Sequence, residues 1–281
     1  MMVTRALMNL SGFADVSVVI PCYRCKNTIK RALESVHNQT IRPAEVLLVE
    51  DASGDGTLEY LNLIAKQYPT GWIKVLSLHI NSGPGTARNA GWNASTQRYV
   101  AFLDSDDSWH PQKIEIQYRW MEQNPKVALT GQMGVVINDN LDRETKRYQI
   151  NELMFSEVSK FRLLLSNKFS TPSVLIRRDV KYRFTAGKRF CEDYELWCKV
   201  KCAGYGCFTV NVPLTFCYKP LYGHAGLSGG LWDMERGELS VYDVLRENKC
   251  ISMMTAFYLK VWSLIRYCRR RLQVKYVARP S

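Results

Sequence analysis

Residues 16–40 read VSVVIPCYRCKNTIKRALESVHNQT. A β-branched apolar run, Val16 to Ile20, stops at Pro21, and a helical pattern follows with Ile29, Leu33 and Val36 on one face. This is a strand, a turn and an amphipathic helix, and the rhythm recurs through the first 110 residues. Val46 to Val49 ends at Glu50-Asp51 and leads through a Gly-rich turn into Leu58, Leu61 and Ile64-Ala65. A run around Trp72 to Leu78 precedes Ser82-Gly-Pro-Gly, where Pro84 suits the first turn of a helix. Tyr99 to Leu103 ends at Asp104. Short buried strands alternating with helices predict an α/β fold with a mainly parallel sheet covered on both faces.

Farther along, the pattern predicts a helix over 111–123, a strand over 127–137, a helical, apolar-patterned stretch over 148–170, a strand at 173–176 and a helix over 192–201. The Gly-rich segment 222–230 reads as a mobile loop. From Ile251 onward, Met254, Phe257, Tyr258, Val261, Ile265, Cys268 and Leu272 recur at helical spacing. The organisation expected is one large unit over 1–248 and a basic helical tail over 249–281.

Composition sets limits. Hydrophobic residues make up 46% of the 281, which excludes a largely disordered chain. No uninterrupted apolar run is long enough for a lipid-spanning helix. Residues 1–15 lack a charged-then-apolar signal pattern, so a cytoplasmic start is expected. The formal charge of +12 invites a nucleic-acid reading, but its location argues otherwise. Residues 1–110 balance 10 basic against 10 acidic side chains, whereas 249–281 carry 8 basic and no acidic residues. A membrane surface is the partner this asymmetry suggests, and nucleic acid is not. Cys22 and Cys25 form a CxxC, but no second pair exists, and reduced cysteines used as small apolar residues are the simpler reading.

Three polar turns, Pro21-Cys-Tyr23, Glu50-Asp51 and Asp104-Ser-Asp106-Asp107, follow the carboxyl ends of predicted strands, the edge where open α/β sheets bind ligands. Asp104-x-Asp106 can hold a hard divalent cation, or be a solvated acidic turn. Asp51 can be a ligand contact or an Asx turn. Glu192-Asp193 opens a helix, where negative charge is also favourable without any chemistry.

Taken in order, VSVVIPCYRCKNTIKRALESVHNQT, EVLLVEDASGDGT, SGPGTARNAG, YVAFLDSDDSWHP and CEDYELW resemble the family 2 glycosyltransferases, most closely over 15–125 and again at 170–200. The resemblance implies a GT-A (Rossmann-like) α/β/α sandwich with a mainly parallel sheet, plus a C-terminal helical extension. It implies a nucleotide-sugar-binding half near 15–125, an acceptor-facing half near 126–248, and transfer of a sugar from a nucleoside diphosphate with inversion. Pro21 and Tyr23 would border the nucleoside, and Asp51 would accept a hydrogen bond from the base, favouring uracil. Arg88 would position the nucleotide or an acidic loop. Asp104 would lie near the ribose or the metal, Asp106 would bind Mn²⁺ or Mg²⁺ directly, and Asp193 would be the general base, with Glu192 its competitor. His224 would contact metal or phosphate, although the Arg that members often carry before it is missing. Members often have two aspartates where Glu50-Asp51 stands, which weakens a role for position 50 more than for 51. Gln117-Tyr-Arg119-Trp120 is one residue short of the QxxRW motif of processive synthases and precedes the base, so one sugar per encounter is expected.

The implied acceptor is a glycan or a lipid-linked glycan of bacterial surface-polysaccharide synthesis, reached at the cytoplasmic face of the inner membrane. The tail would pack on the domain with its basic residues in water, or lie on an anionic membrane. Two other classes remain open: a sugar-nucleotide nucleotidyltransferase, which would want a glycine-rich loop after the first strand that Cys22-Tyr-Arg-Cys-Lys does not supply, and a basic nucleic-acid-binding protein.

Overall fold

A computed structural model describes residues 12–137, 147–149, 152–218 and 230–277, with side chains described to residue 272. β1 (Phe13–Cys22) runs parallel to β2 (Arg42–Glu50) on one side and β4 (Tyr99–Phe102) on the other, and β3 (Ile73–Ser77) extends the sheet beyond β2. The intervening helices are α1 (Ile29–His37), α2 (Thr57–Ala65) and α3 (Pro84–Ala94). Past β4 come the antiparallel β9 (Leu175–Arg177), then β6 (Val127–Gly131), its parallel neighbour β10 (Gly206–Val210) and the antiparallel edge β8 (Phe155–Glu157). The order is β3-β2-β1-β4-β9-β6-β10-β8. A small second sheet joins β5 (Ser108–Trp109), β11 (Thr215–Cys217) and β7 (Val135–Val136). The remaining α-helices among the described residues are α4 (Lys113–Gln123), α5 (Lys160–Leu165), α6 (Glu192–Cys202), α7 (Leu231–Glu247) and α8 (Met253–Val277). The α/β sandwich with a mainly parallel sheet and C-terminal helices is therefore present.

Strand alternation divides the core between the two sheet faces. Val18, Ile20, Leu48 and Ala101 pack with Ile29 and Leu33 of α1 and with Ile114 and Met121 of α4. Val19, Leu47, Val49 and Phe102 join Trp92, Trp197 and Tyr242 on the other face. α3 lies very close to β1. A Cβ built on Gly91 would collide with Val19 Cγ1, a buried side chain with no room to retreat. Gly91→Ala is expected to cost about 1–3 kcal/mol by overpacking, read as a lowered urea midpoint. An unchanged midpoint would contradict this contact.

Two expected elements differ. The strand over 127–137 is interrupted after Gly131 and resumes as β7 in the other sheet. Ser173 and Ser170 hydroxyls cause the break: Gln132 N donates to Ser173 Oγ at 2.9 Å and Gly134 N to Ser170 Oγ at 3.0 Å, taking backbone groups a continuous ladder would use. Among the described residues of 148–170, α-helix is confined to α5. Its Phe155 pairs with Val210 in the ladder and stacks on Trp120 at 4.0 Å, making that part an edge strand, and Ser159 caps the helix that follows.

The tail reverses one expectation. Basic residues of α8 do not all face water: Lys260 reaches Asp243 at 2.7 Å, Arg266 reaches Glu238 at 3.2 Å and Arg270 reaches Glu235 at 2.8 Å, all on α7. Acids on α7 draw that face inward and leave the apolar stripe outside. No described helix is long and apolar enough to cross a membrane.

Candidate active site

Three turns leave the carboxyl edge of the sheet beside one another. Asp51 N donates to Cys22 O at 2.9 Å and Arg24 N to Ser53 Oγ at 3.0 Å, so the turns after β1 and β2 are tied together. Glu50 accepts from Ala52 N at 3.1 Å and Ser53 N at 2.6 Å. Its carboxylate caps a turn in which Ala52 takes φ 51°, which explains an acidic residue there without a ligand. Pro21 is half-buried next to the strand end, and the Tyr23 ring beyond it is exposed, with the Arg24 guanidinium 5.2 Å from its centroid.

Asp51 is buried and binds the loop before α3. It accepts from Ser82 N at 2.8 Å, Gly83 N at 2.9 Å and Asn81 Nδ2 at 3.1 Å. Burial raises its pKa, and the two backbone donors oppose the rise. Two carboxylate oxygens offer about four acceptor positions, so these three donors leave room for one more, such as a base N–H.

Arg88 connects the two ends of the site. Its Nη2 donates to Asp104 at 2.7 Å and its Nη1 to Glu192 at 3.0 Å, joining residues from α3, the turn after β4 and the start of α6. Burial alone would weaken the guanidinium's charge, but the carboxylates of Asp104 and Glu192 outweigh it and raise the pKa. Asp193, next to Glu192, accepts from Asn167 Nδ2 at 3.2 Å, Thr171 Oγ1 at 3.1 Å and Tyr194 N at 2.6 Å. Burial raises the Asp193 pKa against these donors, and burial together with Asp193 pushes Glu192 up to about 7. Two adjacent acids are thus distinguished: Glu192 is committed to Arg88, while Asp193 is oriented by neutral donors.

The Asp104–Asp107 turn closes through Asp107 N donating to Asp104 O at 3.1 Å. Arg31 of α1 donates to the Asp106 carbonyl, and its guanidinium lies 3.6 Å from the centroid of the Tyr218 ring. Asp107 is buried, and burial with the charges of Asp104 and Asp106 pushes it up to about 8. Among the described residues, no three His, Cys, Asp or Glu side chains form a set able to hold a metal ion by themselves. Mg²⁺-type sites commonly use one or two carboxylates and take their other ligands from substrate phosphates and water. The crowded acids of this turn fit that chemistry. His224 lies outside the described residues.

Sequence reasoning did not find Asn167, Thr171 or Arg31. The first two fall in stretches without a motif, and Arg31 is one of two adjacent cations, with Lys30, at the start of its helix. Nothing short of the fold signals their place.

Comparisons with known proteins identify the family and the fold. A family model described as Glycosyl transferase family 2 matches residues 17–183. The chain is 30% identical over 200 residues to the amylovoran biosynthesis glycosyltransferase AmsE of Erwinia amylovora, covering 67% of this chain and 70% of that one. It is 27% identical over 186 residues to the UDP-Glc:alpha-D-GlcNAc-diphosphoundecaprenol beta-1,3-glucosyltransferase WfgD of Escherichia coli, covering 66% and 69%. Among solved structures, mannosyltransferase PcManGT from Pyrobaculum calidifontis, in complex with GDP-Man and Mn²⁺, is similar with a TM-score of 0.64 at 18% identity, covering 96% of this chain and 77% of that one. S. aureus TarS 1-349 in complex with UDP-GlcNAc gives 0.64 at 19%, covering 89% and 71%. The structural likenesses carry the GT-A fold.

Proposed function

The chain belongs to glycosyl transferase family 2, and from that premise we propose that it is an inverting, non-processive enzyme. It moves a sugar from a uridine diphosphate donor to a hydroxyl of a lipid-linked glycan during bacterial surface-polysaccharide synthesis, at the cytoplasmic face of the inner membrane. The observation that carries the reading is the Arg88 bridge, which joins donor-side Asp104 to the acid pair Glu192-Asp193.

In this reading the nucleoside lies along Pro21 and Tyr23, and Asp51 accepts from its base. Arg88 holds Asp104 toward the ribose and diphosphate and keeps Glu192 from the acceptor. A bound Mn²⁺ or Mg²⁺, held by Asp106 with Asp104 beside it, would neutralise charge on the departing diphosphate. Asp193 takes the proton of the acceptor hydroxyl as that oxygen bonds to the anomeric carbon. The bond from that carbon to the diphosphate breaks, the electron pair leaves with the nucleoside diphosphate, and the configuration inverts. Asn167 and Thr171 keep the Asp193 carboxylate oriented. The relative WfgD is named for a UDP-Glc donor and a diphosphoundecaprenol acceptor, which supports this choice of substrate classes. Incubation with UDP-sugars and lipid-linked saccharides, with the product's anomeric configuration read by NMR, tests the proposal. A product that keeps the donor's configuration would contradict it.

A pH effect follows. Asp193 must be ionised to act, and burial raises its pKa, with Glu192 beside it pushed up to about 7. Lowering the pH protonates the pair, so kcat/KM should fall on the acid side above the ~4 of a free carboxylate. Glu192→Gln removes a like charge and should move that limb to lower pH. A limb at or below about 4, unmoved by Glu192→Gln, would contradict this account.

A further inference from the structure

α8 has two opposed faces of unequal character. Ala256, Leu259, Ser263 and Tyr267 are buried on one side, with Lys260, Arg266 and Arg270 bonded to Asp243, Glu238 and Glu235 of α7. Ser263 Oγ also donates to the buried Glu235 at 2.7 Å. Met254, Phe257, Tyr258, Val261, Ile265 and Leu272 are exposed. At about 100° per residue these six form a single stripe, centred opposite the buried one. Trp262 flanks the stripe, half-exposed, with its indole N–H donating to Leu165 O at 3.3 Å, and exposed Phe161 lies on α5, which packs against α8. An apolar strip of this extent, facing water on a folded domain, marks an interaction surface.

We propose that this face lies in the interfacial layer of an anionic membrane, with α8 parallel to the surface. The occupant follows from charge and shape. Residues 249–281 carry 8 basic side chains and no acidic ones. Three of the cations are turned inward onto α7, while Arg269 and Arg271 are exposed on the two flanks of the stripe. Apolar side chains would enter the acyl boundary and the flanking guanidiniums would meet lipid phosphates. A second copy docked through the same face would bring two acid-free basic flanks together. A nucleic acid would satisfy the arginines and leave the stripe in water. Because no described helix is long and apolar enough to span, α8 would lie on the bilayer and not cross it. The α7 carboxylates hold the helix in this orientation before any lipid is met.

Binding to vesicles needs no sugar donor, so this inference stands or falls separately from the enzymatic reading. Full-length protein is co-sedimented with vesicles of phosphatidylethanolamine and phosphatidylglycerol, and with vesicles of phosphatidylcholine alone. Preferential binding to the anionic vesicles is expected. The combined substitution Phe257→Ser, Val261→Ser and Ile265→Ser should lower partitioning at least ~tenfold, with the melting temperature and donor turnover kept because these side chains face outward. Arg269→Gln with Arg271→Gln should weaken anionic binding by roughly fivefold per charge and leave the neutral vesicles unaffected. Wild-type protein that ignores anionic vesicles, or a serine variant that binds them as wild type does, would overturn the proposal. So would a dimer in analytical ultracentrifugation that the serine variant dissolves, because a second copy would then be the occupant.

Discussion

Asp193→Asn is expected to lower sugar transfer by about 10²–10⁴-fold, the usual contribution of a positioned general base, while donor binding stays near wild type. The carboxylate accepts three hydrogen bonds and donates none. An amide of the same shape fills the site but cannot take the acceptor's proton. Asn167 cannot readily flip to accommodate it, because Asn167 Oδ1 already accepts from Phe169 N at 3.1 Å. One donor will therefore face another, at a stability cost of about 1–3 kcal/mol. Melting curves are needed beside the kinetics, and transfer should be compared at a temperature where both proteins are folded. Glu192→Gln provides the contrast: Glu192 is bonded to Arg88, so its loss should cost transfer much less. Full transfer by Asp193→Asn would show that another group is the base.

Asp106→Ala is expected to abolish cation-dependent nucleotide binding and to reduce kcat/KM by about 10²–10⁴-fold, because metal neutralisation of a leaving group is worth several kcal/mol. The turn should survive the change. Bonds to main-chain carbonyls hold it, one from Asp107 N to Asp104 O and one from the Arg31 guanidinium to the Asp106 carbonyl, and alanine retains both. Calorimetric titration of UDP into the variant, with and without Mn²⁺, measures the effect. Cation-enhanced binding equal to wild type would remove Asp106 from the metal site.

The first half of the chain was legible because each of its strands is a short apolar run ended by a polar turn, and parallel order puts all those turns on one edge. Asp51, Asp104 and Asp106 could be placed at that edge from the pattern alone. What Asp51 bonds to could not, because Ser82 and Gly83 contribute backbone N–H groups, which carry no side-chain signature. The Arg88–Glu192 pair spans 104 positions and depends on α3 and α6 meeting at the sheet edge. Nor could periodicity decide which face of α8 turns inward. An apolar stripe ordinarily seeks the core, but here Asp243, Glu238 and Glu235 on α7 offer charge partners to the opposite face. α7 itself was readable in retrospect, since Glu238, Val241, Tyr242 and Leu245 recur at three- and four-residue steps along its buried side.

The central claim is that the acidic turns at this sheet edge bind a nucleotide sugar with a divalent cation and release its nucleoside diphosphate. It is tested most directly by incubating the protein with a panel of nucleotide sugars in Mn²⁺, in Mg²⁺ and in chelator, and measuring nucleoside diphosphate release. At least one donor, expected to be a UDP-sugar, should be turned over slowly with the cation and not with the chelator. Release that is indifferent to the cation, or none from any donor, would contradict the account.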